Sequence, residues 1–407
     1  MYKKSIDTSL VFVVMALVIF GMIMISSVSV YPSFKVTSQM VARGLLDEPN
    51  NSYYLTKNIT HVIIGIFFLT VFSKISYTLF EKYSKIVIAW VIGALFVVLV
   101  VWVEYNGAKW WLDIPGLPSI QPVEFAKIGI IIFLAYFMKK RRSLLSDFQD
   151  GFVPYFFIVG IIFILLAIQP DFWSILIIAP VVIALYFVGG WEARYIGILF
   201  LICAIGALSI YGIGKIGASS DKKSKLNYIS TRIDNFFQKN ETLFSKKTTD
   251  DKDWQIKQWL IAIGSWGFFG LGFGKSIQKF WYLPEVEGDF IFSVIVEELG
   301  FIWAFFLLSA YLFIAYRGYT IARFVKDPFA KYLAFGISTL ILVQVFVNIG
   351  VNLNVVPLTG VTLPFVSYGG SSLMSLMIAI GILLNISRYM EYNPTLGYEF
   401  SKKRRVL

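Results

Sequence analysis

Four short segments gather the residue types that could do chemistry, and each lies where an apolar run begins or ends. The richest is YLPEVEGDFIFSVIVEELG, residues 282–300. It sets Glu285, Glu287 and Asp289 ahead of an apolar stretch and Glu297 and Glu298 inside it. By helical rise the second pair lies roughly 12–14 Å beyond Asp289. Ionisable groups at membrane depth are retained where they have partners or work. Asp289, beside an aromatic and basic loop, suits a general base, and the same position suits a helix N-cap. Just upstream, GFGKSIQKF adds Lys275, Ser276 and Lys279 as nearby cations and a hydroxyl.

The second segment, NGAKWWLDIPGLPSIQPVEFAK (106–127), carries Lys109, Gln121, Glu124 and Lys127. Pro122 fits the first turn of a helix, where its missing N–H is no loss. Glu124 then meets the positive end of the helix dipole and can pair locally with Lys127. The third, QPDFWS (169–174), puts Asp171 after Pro170, where a carboxylate is a good helix cap. The fourth, VNLNVVPLTGVTLPFVSYGGSSL (351–373), has two prolines and a Gly-Gly-Ser-Ser run that interrupt a helix. Irregular backbone at membrane depth must be buried in protein or line a cavity. The hydroxyls of Thr359, Ser367, Tyr368, Ser371 and Ser372 could donate to a phosphate, or simply allow close helix packing.

Other chemistries lack their residues. There is no GxSxG, HExxH, P-loop or CxxC, and GLGFGKS lacks the strand and helix of a nucleotide loop. Cys203 and His61 are each alone of their kind, so no internal disulfide can form and the two read as packing residues.

The elements that must hold these residues follow from composition. Of 407 residues, 57% are hydrophobic and only 15% charged, which makes lipid the fitting solvent and excludes an ordinary soluble domain. The net charge of +11 is assigned to the cytoplasmic membrane face rather than to nucleic acid. The reading is an all-α polytopic membrane protein of about ten transmembrane helices, one domain over residues 1–407. The spans are placed at residues 9–30, 59–77, 86–104, 123–138, 152–168, 173–189, 195–214, 290–315, 332–353 and 364–386. Lys and Arg concentrate in alternate short loops, such as Lys139–Arg142, which puts both termini in the cytoplasm. A long extracytoplasmic loop, 215–289, then joins spans 7 and 8. Within it QIKQWLIAIGSWGFFGLGFG (255–274) reads as a re-entrant or interfacial helix. No internal repeat is seen, which disfavours the inverted-repeat transporter folds.

With these segments in view, the chain resembles the SEDS family of bacterial cell-wall proteins, FtsW, RodA and SpoVE. The family's NGA-x-RW and QPSE-x-x-K stand here as NGAKWW and QPVEFAK, and its QPDLGTA as QPDFWSI. Its YLPE-AHTDFIF-EELG stands as YLPE-VEGDFIF-EELG, and its N-x-G…P-x-TG-x-x-LPF-SYGGSSL as NIGVNLNVVPLTGVTLPFVSYGGSSL. Trp110, Val123, Glu287 and Gly288 replace the family's Arg, Ser, His and Thr. EELGF and TLPFVSYGGSSL sit closer to the FtsW and SpoVE branches than to RodA.

The resemblance implies a peptidoglycan glycosyltransferase that polymerises lipid II in the bacterial inner membrane, for septal or elongation wall synthesis. It implies Asp289 as catalytic base. Lys109, Gln121, Glu124, Lys127, Asp171, Lys275, Ser276, Lys279, Glu297, Glu298, Ser367 and Ser371 become candidate contacts to the sugar or diphosphate. Mg²⁺ or Mn²⁺ would suit a carboxylate with phosphate oxygens, and no organic cofactor is implied. The implied partners are a class B penicillin-binding transpeptidase and other division or elongation proteins. A lipid II flippase and a non-catalytic scaffold are the competing readings. A transporter wants its polar site near the midplane, whereas most ionisable residues here fall at helix ends.

Overall fold

The computed structural model describes residues 5–101, 120–144, 147–169, 171–190, 267–276, 286–356 and 359–391, together with Gly197 and Lys279. Ten α-helices form in these residues: α1 (Thr8–Val28), α2 (Val30–Ala42), α3 (Tyr53–Lys74), α4 (Tyr77–Val101), α5 (Pro122–Lys140), α6 (Val153–Ile168), α7 (Phe172–Val188), α8 (Ile291–Phe324), α9 (Pro328–Asn352) and α10 (Gly370–Ser387). No strand is present among the described residues, only an isolated bridge between Val325 and Met390.

Seven of these helices are long and apolar enough to cross a bilayer, α6 being counted with the π-helical turn Phe148–Phe152 ahead of it. The chain is a multi-pass helical membrane protein. Nine of the ten sequence-placed spans coincide with α1 and α3–α10, and 195–214 lies outside the described residues. Helix α2 is an addition. Its apolar residues are diluted by Ser33, Lys35, Thr37, Ser38 and Gln39, so no span-length hydrophobic run marks it.

Helix starts follow local chemistry. Asp7, Asp171 and Asp327 each accept a backbone N–H in the first turn of α1, α7 and α9. Pro122 and Pro328 occupy the first turns of α5 and α9. At the far end of the bundle, Arg317 donates to Asp7 Oδ2 through Nε and Nη2, at 2.9 and 2.6 Å. The Asp7 N–H donates to Ser387 Oγ there.

Helix α10 is the hub, buried along its whole length and packed on α3, α5, α8 and α9. Small residues permit that. A Cβ on Gly381 would sit 2.8 Å from the Leu69 carbonyl oxygen of α3. The last predicted span, 364–386, begins too early. Residues 361–369 run as irregular backbone, and helix starts only at Gly370.

Helix α8 is two helices joined at Gly300, whose φ of 76° and ψ of −173° no helical residue adopts. The break frees carbonyls, and a glycine-rich loop takes them. Leu271 N donates to Glu297 O and Gly272 N to Glu298 O, both at 2.9 Å. Gly270 and Gly300 meet backbone to backbone, and a Cβ on Gly300 would lie 2.4 Å from Gly270 N. The described part of the expected 255–274 helix, 267–274, is therefore turn and loop. Its glycines at 267, 270, 272 and 274 all have positive φ, which excludes a helix.

Candidate functional site

Residues Val286–Phe290 form a turn, and α8 starts at Ile291. Asp289 thus stands in the turn before the helix, where the sequence alone had counted it on the helix itself. Nor is it the cap residue. The N-cap position falls on Phe290, with no side-chain cap bond. Asn352 Oδ1, from the end of α9, accepts instead from Ser293 N and Ser293 Oγ at 3.2 and 2.6 Å.

The backbone around Asp289 is held carbonyl by carbonyl. Tyr368 N donates to Glu287 O at 2.8 Å. Ser367 Oγ donates to Gly288 O at 2.7 Å and accepts from Leu363 N at 2.8 Å. Asn348 Nδ2 and Asn352 Nδ2 both donate to Asp289 O, at 3.0 and 2.9 Å. Asp289 is only 8% exposed, and Glu287 is similarly buried. Asp289 Oδ2 lies 3.5 Å from where a Cβ on Gly360 would sit, and Gly360 has φ +73°. The neighbouring Thr359 hydroxyl is buried and has no hydrogen-bond partner among the described residues.

The loop that makes these contacts is anchored in turn. The Tyr368 ring packs edge-on against Tyr54 at 5.0 Å and lies 5.7 Å from His61. The His61 ring leaves no room for a side chain at Gly370, where a Cβ would be 2.7 Å from Nε2. Ser371 Oγ accepts from Gln121 N at 3.0 Å, which ties α5 to α10. Ser372 Oγ accepts from Thr362 Oγ1 and from Gln344 Nε2.

A second polar region forms at the α8 break. Glu298 is fully buried, Glu297 is 2% exposed and Lys279 is 3% exposed. Lys279 Nζ donates to Glu298 Oε1 at 2.7 Å, to Ser27 Oγ at 2.8 Å and to Gly274 O at 2.9 Å. Gly274 N donates to Glu298 Oε2, and Ser276 Oγ donates to Glu297 Oε2 at 2.6 Å. Lys275, four residues before Lys279, is exposed.

A third region joins α5 and α7. Lys127, almost fully buried, donates to Glu124 Oε1 at 2.8 Å. Asp171 is within electrostatic reach of both. It caps α7 through Ser174 N at 3.1 Å and Ser174 Oγ at 2.6 Å.

The structure therefore gathers Asp289 with Ser367; Ser276 and Lys279 with Glu297 and Glu298; Glu124 and Lys127 with Asp171; and Gln121 with Ser371. Lys109 and Glu285 lie outside the described residues. Sequence reasoning missed Asn348 and Asn352. Their signal was present, as the last two of three amides spaced four residues apart, Gln344, Asn348 and Asn352, along one face of a mainly apolar helix. Among the described residues no three His, Cys, Asp or Glu side chains converge as a metal cage.

The model of a family described as cell cycle protein, FtsW/RodA/SpoVE, matches residues 7–392. Stage V sporulation protein E of Bacillus subtilis is 34% identical, over 96% of this chain and 99% of that protein. The "Probable peptidoglycan glycosyltransferase FtsW" of the same organism is also 34% identical, over 99% of this chain and 94% of its own. Among solved structures, a chain from "Structural coordination of polymerization and crosslinking by a peptidoglycan synthase complex" aligns with a TM-score of 0.73 and 24% identity, over 95% of this chain and 99% of that one. The rod shape determining protein RodA of Thermus thermophilus aligns with a TM-score of 0.65 and 24% identity, over 95% and 98% of the two chains. At that identity the structural matches speak for the fold.

Proposed function

Because this chain belongs to the FtsW/RodA/SpoVE family of cell cycle proteins, we propose that it is a peptidoglycan glycosyltransferase that polymerises lipid II into glycan strands. The observation that carries the reading is the Asp289 turn. A buried carboxylate stands beside the helix cap rather than in it, on backbone held at three successive carbonyls. Such preorganisation suits a base that must meet an acceptor hydroxyl in one orientation.

The acceptor sugar's 4-hydroxyl attacks C1 of the donor chain as its proton passes to the Asp289 carboxylate. The C1–oxygen bond to undecaprenyl diphosphate breaks, and the diphosphate leaves with the bonding electrons. Cations must offset the charge that develops there. Lys275 is exposed in the adjoining loop, and Lys109 belongs to the same set by its motif. A divalent cation would add Lewis acidity at the diphosphate. Mg²⁺ and Mn²⁺ accept one or two carboxylates with substrate phosphates supplying other ligands. Glu287, buried in the same turn as Asp289, would be the carboxylate to offer one. The transporter alternative lacks a comparable observation, since the deepest acidic pair, Glu297 and Glu298, is bonded to Ser276, Lys279 and loop amides.

The site end of the bundle faces outward from the inner membrane in this reading, and both termini are cytoplasmic. A reporter fused after Leu407 is expected to be active only in its cytoplasmic form, and an external signal would overturn the orientation. A class B transpeptidase is the expected partner, in keeping with the structural match to a synthase complex. The FtsW and SpoVE relatives favour division or sporulation over elongation. Purified protein given labelled lipid II should yield glycan strands, slowly alone and faster with its transpeptidase. No polymer with or without the partner would sink the enzyme reading.

A further inference from the structure

We propose that Asn348 and Asn352 are positioning residues for the reaction, fixing the Asp289 peptide so that its carboxylate is presented at the Gly360 notch; the inference rests on reading Asp289 as the base. The two amides lie four residues apart on α9, hence on one face, and are 1% and 0% exposed. Burying two amides in an apolar helix is unfavourable unless their hydrogen bonds are made.

Both side chains direct Nδ2 at one acceptor. Asn348 donates to Asp289 O at 3.0 Å and to Val361 O at 2.6 Å. Asn352 donates to Asp289 O at 2.9 Å and to Asn348 O at 2.9 Å. A carbonyl oxygen has two lone pairs, and here two side-chain donors address it. Rotation of the peptide that follows Asp289 would break both bonds. The carbonyls of Glu287 and Gly288 are held from the 363–368 loop. With the peptides on both sides of the Asp289 Cα fixed, the direction of its Cα–Cβ bond is fixed too.

The same pair also sets what the carboxylate faces. Asn348 holds Val361 next to Gly360, where a Cβ would lie 3.5 Å from Asp289 Oδ2. Asn352 Oδ1 caps α8 through Ser293, a task that Asp289 would otherwise be the neighbouring candidate to perform. The pair thus releases the acid from capping and aims it.

Asn348→Ser leaves a hydroxyl too short to reach Asp289 O. Assayed with labelled lipid II and the transpeptidase, it should lower kcat about 10- to 100-fold, as displacement of a reacting group by an ångström does. KM should stay within about threefold, since the sugar and diphosphate contacts are elsewhere. The thermal midpoint should hold within a few degrees. In an Asp289→Asn background, the same change should lower the residual rate no further, because its effect passes through the lost carboxylate. Should Asn348→Ser fail to accumulate, Asn352→Asp carries the test. It keeps an oxygen for Ser293 and replaces the N–H facing Asp289 O. Wild-type kcat in these variants, or an equal further loss in the Asp289→Asn background, overturns the positioning role alone. A wild-type chain that makes no polymer overturns the glycosyltransferase reading itself, and this role with it.

Discussion

Asp289 and the Glu297–Glu298 pair lie within ten residues of each other, and the fold treats them in opposite ways. Around Asp289 the bonds are made by the backbone, and neighbouring carbonyls are pinned by Ser367, Asn348 and Asn352. Around Glu297 and Glu298 the carboxylates themselves take the bonds, from Ser276, Ser27, Gly274 N and Lys279. The first arrangement fixes the direction in which the Asp289 side chain leaves the backbone. The second uses charge to clamp the 267–276 loop onto the break at Gly300. Burial alone does not separate the two, since every one of these acids is under 10% exposed. What separates them is that three successive carbonyls hold the Asp289 turn, whereas the carboxylates of Glu297 and Glu298 hold the loop.

The largest expected effect tests the first half of that contrast. Asp289→Asn is nearly isosteric and cannot accept a proton at neutral pH. Polymerisation should fall at least about a hundredfold, while the thermal midpoint and lipid II binding are retained. Asn fills the same space in the turn, so survival of activity would return Asp289 to a structural role. Glu287→Gln is the companion. If it is inactive and Asp289→Asn is not, the base is Glu287.

The second half predicts the reverse pattern. Glu298→Gln removes the charge that offsets buried Lys279, and breaking such a pair typically costs about 3–5 kcal/mol. Thermal unfolding in detergent should show that loss, and the molecules that remain folded should polymerise at near wild-type rate. Adding Lys279→Met should recover much of the stability, because no uncompensated charge is then left in the interior. A Glu298→Gln protein with normal stability and no activity would move the deep pair from clamp to catalysis.

Helix positions were legible because span-length apolar runs, proline starts and aspartate caps are local signals. Asp171 needed only its own first turn. The kink in α8 was not legible, because Gly300 in EELGF is one glycine in a helical pattern until Gly270 is brought against it. Nor was the commitment of Lys279, which depends on α1 bringing Ser27 and on the loop folding back to Glu298. Asn348 and Asn352 lie within the NIGVNLNVVP stretch of the family motif. Their targets are 59 and 63 residues away at Asp289 O, so spacing could not assign them.

The smallest effect sharpens the contrast within the loop itself. Lys275 and Lys279 carry the same charge four residues apart, yet Lys279 is buried against Glu298 and Lys275 is exposed. Neutralising Lys275 therefore removes no buried pair, and a surface substitution of this kind usually changes stability by no more than about 0.5 kcal/mol. If Lys275 meets the diphosphate, Lys275→Gln weakens a charged hydrogen bond in a solvated setting. That is on the order of 1 kcal/mol, or about fivefold in affinity. The loss should appear in KM if the contact is equal in ground and transition states, and in kcat if it strengthens as the leaving group departs. Raised salt should shrink the difference between wild type and variant, since an exposed cation is screened. A variant that matches wild type at every salt concentration would leave Lys275 a solvated surface charge, and Lys109 would become the cation to test.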